Sequence, residues 1–222
     1  EFTPASFLNK TNKYVQLFND VMDMGKKKKK KQKINTMPKK ANEMIKEVVD
    51  TKLSGEKVLV FEKKDQVYEP GYYGKDLGDR LELALVEACL LLKRGRIRVL
   101  SNDTPMTFEE LYNYALSLDE RFPHKYRVYE DLRERGLLVR TGFKFGCDFR
   151  VYERGVKLKK GPKSAKEHTK WIVFSVPEDF TCSFQELSRA VRLAHNIRAK
   201  MLWAIVDNEG DVTFYQILRM KP

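Results

Sequence analysis

The stretch from Tyr126 to Gly155 reads YRVYEDLRERGLLVRTGFKFGCDFRVYERG. Its first part belongs to a helix that starts after Pro123 and stops at Gly136, a residue suited to the left-handed turn that ends helices. Beyond that glycine, Leu137 to Val139 and Cys147 to Tyr152 are β-rich runs. Toward the C-terminus the pattern repeats in Trp171 to Val176, Leu202 to Val206 and Val212 to Leu218, with one helix, about Ser183 to Arg198, between the first two. Residues 122–222 are therefore predicted to form a mixed β-sheet domain with flanking helices.

Upstream, residues 41–121 predict a smaller N-terminal α+β domain. Strand-like runs at Lys57 to Phe61 and Ile97 to Leu100 surround an apolar helix expected from about Asp79 to Lys93 and closed by Gly95. A second helix, Thr107 to Leu118, opens on a capping box in which Glu110 follows Thr107 by three residues. The expected fold class is α+β throughout.

The 222 residues carry a net charge of +12, but it is unevenly placed. Residues 26–40 hold nine lysines and no acid, which leaves only +3 for everything else. That run lacks apolar periodicity and reads as a lysine-rich linker. A second excess, Arg154 to Lys170, falls inside the C-terminal domain, and basic clusters of this kind attract phosphate backbones. Ahead of the linker, Thr3-Pro4-x-x-Phe7 and Leu17-Phe18-Asn19-Asp20-Val21-x-Asp23-x-Gly25 echo Thr104-Pro105-x-x-Phe108 and Val128-Tyr129-Glu130-Asp131-Leu132-x-Glu134-x-Gly136. The echo marks residues 1–25 as the tail of a preceding repeat unit, and a chain opening at Glu1-Phe2 reads as a cut start.

Several classes are excluded. No run approaches the roughly 18 apolar residues of a membrane span, since Leu81 to Leu92 is broken by Glu82 and Glu87. Cys89, Cys147 and Cys182 are odd in number and widely spaced, which predicts a reduced, cytoplasmic chain without structural zinc. His124, His168 and His195 lack metal-helix spacing. The expectation is metal-free chemistry without a cofactor.

Three blocks, the stretch quoted first, EHTKWIVFSVPED from Glu167 and SRAVRLAHNIRAKMLWAIVDNEGDVTFYQ from Ser188, occur in an order and spacing that resemble the catalytic domain of the archaeal tRNA-splicing endonucleases. Residues 41–118 resemble that family's smaller N-terminal domain more weakly, and the echo at 1–25 resembles its multi-unit fused forms. The resemblance implies metal-independent cleavage of precursor tRNA at bulge-helix-bulge junctions, leaving 2′,3′-cyclic phosphate and 5′-hydroxyl ends. Such a reaction needs a base for the ribose 2′-hydroxyl, an acid for the leaving 5′-oxygen and a cation beside the pentacovalent phosphorus. By motif, Tyr152 matches the base and His168 the acid. A histidine ordinarily titrates near neutrality, whereas a tyrosine, ordinarily near 10, needs neighbouring positive charge or a relayed proton to act as a base. Taken alone, each has a plainer reading, Tyr152 as a packed strand ring and His168 as a loop residue.

The third position departs from the family pattern. The family lysine directly follows an arginine, and after Arg198 that place holds Ala199, with Lys200 next to it. Either Lys200 serves through its long stem or the chain is impaired. For RNA recognition the resemblance implies Arg192 as a base-stacking residue, with Arg219 as its partner, while Lys159, Lys160 and Lys163 sit in an insert suited to gripping the backbone. The turn with Asp207, Glu209 and Asp211 corresponds to the family's assembly loop, so other endonuclease units are expected as partners beside precursor tRNA. The alternative function is a noncatalytic RNA-binding or structural unit of such an assembly.

Overall fold

The structure, a computed structural model, describes residues 48–69, 71–142, 146–158 and 168–220. The expected repeat tail at 1–25, the linker at 26–40, and Lys159, Lys160 and Lys163 lie outside the described residues.

The first sheet is built from β1 (Val49–Ser54), β2 (Lys57–Val60), β3 (Lys75–Asp76), β4 (Leu81–Ala84), β5 (Ile97–Ser101) and β6 (Thr104–Pro105), in the order β3-β4-β2-β1-β5-β6. β1 and β2 form a hairpin, whereas β1 and β5 run parallel, Val49 opposite Ile97. A short helix α1 (Lys64–Tyr68) follows β2, and the longer α2 (Leu85–Lys93) connects β4 to β5. Every residue of α2 from Leu85 to Leu91 is buried, so this helix runs through the core rather than along the surface.

The helix expected over 79–93 is in fact a strand followed by a helix. Leu81 and Leu83 are fully buried on one side of β4 and pair with Val60 and Val58 of β2. That ladder overrides the helical propensity of Leu81-Glu82-Leu83-Ala84. The helix begins only at Leu85, where the Glu87 carboxylate accepts the Ala84 N–H at 2.9 Å. The Gly95 stop is as expected, with φ +64. No sequence signal marks β1; its pattern of alternating buried and exposed residues is legible only once β2 and β5 lie beside it.

Helix α3 (Phe108–Leu118) has the expected capping box: Glu110 N–H donates to Thr107 Oγ1 at 3.2 Å, and Thr107 N–H donates to Glu110 at 2.8 Å. Helix α4 (Phe122–Glu134) follows directly. The second sheet then forms from β7 (Leu138–Thr141), β8 (Phe149–Tyr152), β9 (Trp171–Pro177), β10 (Lys200–Val206) and β11 (Val212–Ile217), in the order β11-β10-β9-β8-β7. All pairs are antiparallel except β9 with β10, whose parallel run requires a crossover, supplied by α5 (Phe184–Asn196).

Alternation gives this sheet two different faces. Phe149, Val151, Val173, Leu202 and Ala204 turn inward and join Val128, Tyr129 and Leu132 of α4 in a core that continues into the first sheet. On the outer face, Cys147, Ile172 and Met201 pack with Ala194 of α5 in a smaller cluster. None of the described helices is long and apolar enough to cross a membrane, and all three cysteines are free.

The two sheets are fastened around Arg133 of α4. Its Nε donates to the Tyr129 hydroxyl at 3.0 Å, Nη1 to the Gly71 carbonyl at 2.9 Å and Nη2 to the Val139 carbonyl at 2.7 Å. The guanidinium lies 4.2 Å from the Tyr73 ring centroid. Beside it, Gly74 donates to the buried Glu87 carboxylate at 3.1 Å. Gly74 has φ +72, and a Cβ there would stand 2.7 Å from the Glu82 carbonyl oxygen, which is backbone and cannot yield. Gly74→Ala should therefore cost about 1–3 kcal/mol and lower the melting temperature by several degrees in thermal denaturation.

Candidate active site

Three strand ends meet at one end of the second sheet. Tyr152 is the last residue of β8; its ring is buried, 2% exposed, and it registers with Leu138 of the edge strand β7. His168 is exposed in a bend two residues before Lys170, whose N–H donates to the Val151 carbonyl at 2.9 Å. Lys200 opens β10, exposed, and its N–H donates to the Lys170 carbonyl at 2.8 Å. Backbone hydrogen bonds thus tie the end of β8 to the segment before β9, and that segment to the start of β10.

The faces separate what the ends bring together. Lys200 registers with Trp171, and Trp171 with Val151, a row whose Val151 and Trp171 pack on the inner core. Tyr152 follows Val151 and alternates to the outer face. Ala199 precedes Lys200 and packs against the outer cluster with Met201, so the side of the sheet that carries Tyr152 is the side of Ala199.

Around this end the charge is positive. Lys170 is half-buried; its ammonium ion-pairs with Glu153 and lies 4.6 Å from the Trp171 ring centroid. Burial, with the Lys200 charge beside it, pulls the Lys170 ammonium below the ordinary lysine range. Arg150 and Arg140 stand opposite each other on β8 and β7. Arg192 is exposed near the end of α5, with Nε donating to the Ser188 carbonyl at 3.4 Å, and Arg219 is exposed just past β11.

The acidic turn lies at the other end of β10, about 20 Å away at the usual strand rise. It is a tightly bonded turn: Asp207 accepts from the N–H groups of Glu209 at 3.0 Å and Asp211 at 2.8 Å, and Gly210 takes φ +84. Arg127 of α4 donates Nε to the Gly210 carbonyl, and the buried Glu130 carboxylate stands 3.6 Å from its Nη1. Asn208 donates to Glu178. Oxygens of Asp207, Glu209 and Asp211 lie within 4.8 Å of one another, the one grouping among the described residues with the donors for a metal ion.

Family comparisons divide the chain at the same places as its two sheets. The tRNA intron endonuclease N-terminal domain matches residues 49–112, and the tRNA intron endonuclease catalytic C-terminal domain matches residues 122–214. The tRNA-splicing endonuclease of Thermococcus onnurineus is 38% identical over 175 residues, 78% of this chain and 97% of that protein. Those of Nanoarchaeum equitans, 40% over 146 residues (66% and 94%), and Methanothermobacter thermautotrophicus, 37% over 158 residues (71% and 88%), are similar too. The chain belongs to the tRNA intron endonuclease family.

Within this endonuclease fold, the sequence by itself marks Lys170 only as part of a basic cluster. The signal for its place was its position one residue ahead of the apolar run from Trp171, which puts it at the mouth of a central strand. Nothing local in the sequence marks Arg140 as the cross-strand neighbour of Arg150. If Lys200 helps hold Lys170 low, Lys200→Ala should let the Lys170 ammonium titrate at higher pH, followed by NMR of labelled lysine side chains. An unmoved midpoint would leave burial as the sole cause.

Proposed function

We propose that this chain cleaves precursor tRNA at bulge-helix-bulge intron junctions, leaving 2′,3′-cyclic phosphate and 5′-hydroxyl ends, without a metal ion. The observation that carries the reading is the meeting of the ends of β8, β9 and β10, since each of the three motif blocks contributes one of these ends. Tyr152, as a phenolate favoured by neighbouring positive charge or by relaying its own proton onward, takes the proton of the ribose 2′-hydroxyl, the freed oxygen attacks the adjacent phosphorus, and His168 gives a proton to the departing 5′-oxygen. A cation facing the phosphorane lowers the charge that builds on its equatorial oxygens. Arg192 stacks on an extruded bulge base with Arg219 as its partner, and Lys159, Lys160 and Lys163 grip the RNA backbone. The turn at Asp207, Glu209 and Asp211 docks on another endonuclease unit, and residues 1–25 and 26–40 are the tail of an earlier unit and its tether.

The cation is where this chain departs from that scheme. Ala199 shares the side of Tyr152, and Lys200 alternates away from it. This favours a second reading, a unit that binds RNA and assembles but turns over slowly. Ala199→Lys should then raise the single-turnover rate on a bulge-helix-bulge RNA by about a hundredfold, the scale of one well-placed charge-stabilising group, while Lys200→Ala changes it little. If Lys200 supplies the charge, its loss abolishes cleavage and Ala199→Lys adds nothing, because two crowded ammonium groups repel.

The chemistry has its own check. Cleavage should persist in EDTA with cyclic-phosphate ends, and activity lost in chelator and restored by Mg²⁺ would count against the scheme. Arg192→Ala should weaken RNA binding by about 1–3 kcal/mol, the value of one base-stacking contact, whereas His168→Ala should leave binding intact. Equal binding losses in the two variants would contradict the division of roles.

A further inference from the structure

The hairpin that joins β10 to β11 outruns its sheet. β9, the inner neighbour of β10, ends at Pro177 opposite Val206, and β11 is an edge strand, so residues 207–211 stand beyond the last paired row. Their shape is set locally: the Asp207 N–H donates to the Asp211 carbonyl and the Gly210 N–H to the Asp207 carbonyl, both at 3.1 Å. Local bonds of this kind fix the shape of a turn but not its direction, because a hairpin tip can pivot on its two strands.

The direction is set from α4. Arg127 donates Nε to the Gly210 carbonyl at the tip of the turn, and its Nη1 stands 3.6 Å from the Glu130 carboxylate, one helical turn further along. Glu130 is 7% exposed, and its charge is also matched by the Lys93 ammonium at 2.8 Å and by the Tyr126 hydroxyl, which donates at 3.1 Å. A buried carboxylate matched on several sides is held in place, since moving it would leave charge unpaired away from water. Lys93 closes α2 and lies 5.9 Å and 6.0 Å from the ring centroids of Phe108 and Tyr126, so the brace runs from the first sheet's long helix through α4 to the turn. A second outside contact, Asn208 with Glu178, joins two exposed side chains that exchange readily with water.

We propose that Arg127, clamped by Glu130, is the positioning residue of the acidic turn, holding it in the one direction in which it docks on another endonuclease unit. A turn ordered beforehand loses little freedom on docking, whereas a pivoting one must be immobilised at that moment. The brace matters more here than for an ordinary hairpin, because carboxylate oxygens of Asp207, Glu209 and Asp211 lie within 4.8 Å of one another and like charges so close drive a free tip to spread. Arg127 meets the turn at a backbone carbonyl, which leaves the three carboxylates to face the other unit. This rests on the reading in which the turn docks on such a unit.

The test is the assembled mass of the full chain over a concentration series, together with amide hydrogen exchange of the chain at high dilution. Arg127→Gln should weaken assembly about tenfold, the scale of one residue ordered on docking. In the dilute chain the Glu209 and Asp211 amides should then exchange about tenfold faster, while those of β10 keep their protection. Glu130→Gln should weaken assembly in the same sense, and adding it to Arg127→Gln should cost little more, because both act through one contact. Arg127→Lys keeps the charge beside Glu130 but lacks the fork, so it should fall between the unaltered chain and Arg127→Gln. It carries the comparison if Arg127→Gln lowers the melting temperature. Unchanged assembly in these variants overturns the proposal. Weakened assembly with unchanged exchange in the turn overturns it too, since Arg127 would then touch the other unit directly, as does faster exchange spread evenly over β10 and β11, the mark of a structural role alone. If the unaltered chain stays a single unit at every concentration, the docking reading itself fails.

Discussion

The Arg133 guanidinium is the constraint on which the arrangement turns. It is partly buried between two tyrosine rings and satisfies three acceptors on three different segments, the Gly71 carbonyl, the Tyr129 hydroxyl and the Val139 carbonyl. Burial pushes the Tyr129 hydroxyl well up, so it stays neutral while the adjacent guanidinium stays charged. A charge in such a place is costly unless its donors are matched, and matching them fixes the loop at 71–73, α4 and β7 to one another. β7 is an edge strand, and this contact sets where it lies. Its register then sets β8, and β8 carries Arg150 and Tyr152.

From β8 onward the site depends on pairing direction. β8 runs antiparallel to β9 and β9 parallel to β10, so the C-terminal end of β8 and the N-terminal ends of β9 and β10 coincide. The acidic turn is forced to the opposite end by the length of β10. A chemical division follows from topology alone: Tyr152, His168 and Lys200 at one end, an acidic turn held by Arg127 at the other. The pleat adds a finer division, because neighbours in sequence such as Ala199 and Lys200 cannot serve the same face.

The loop at 71–74 links the first sheet to the elements that follow it. It belongs to the first sheet by sequence, yet its carbonyls are taken by Arg133 of α4 and Arg140 of β7. The left-handed Tyr72 and Gly74 keep it close against β7. Smaller and larger sheets thus share one rim along β7.

Local chemistry was legible in the sequence. The capping box at Thr107 and Glu110, the stops at Gly95 and Gly136 and the five β-rich runs of the C-terminal half all follow from neighbours within a few positions. Where partners are distant, the reading failed or was silent. Leu81 to Ala84 looked helical until β2 claimed it, and β1 had no signature apart from β2 and β5. The same limit decides the site. Residue identity determined which groups are present, including the alanine beside Lys200. Which of those groups share a face is set by β9 and β10 pairing across an intervening helix, and by a hairpin that puts Arg140 opposite Arg150. A one-residue slip in either register would reverse every side chain, and only the packing of the core against α4 and α5 excludes that slip.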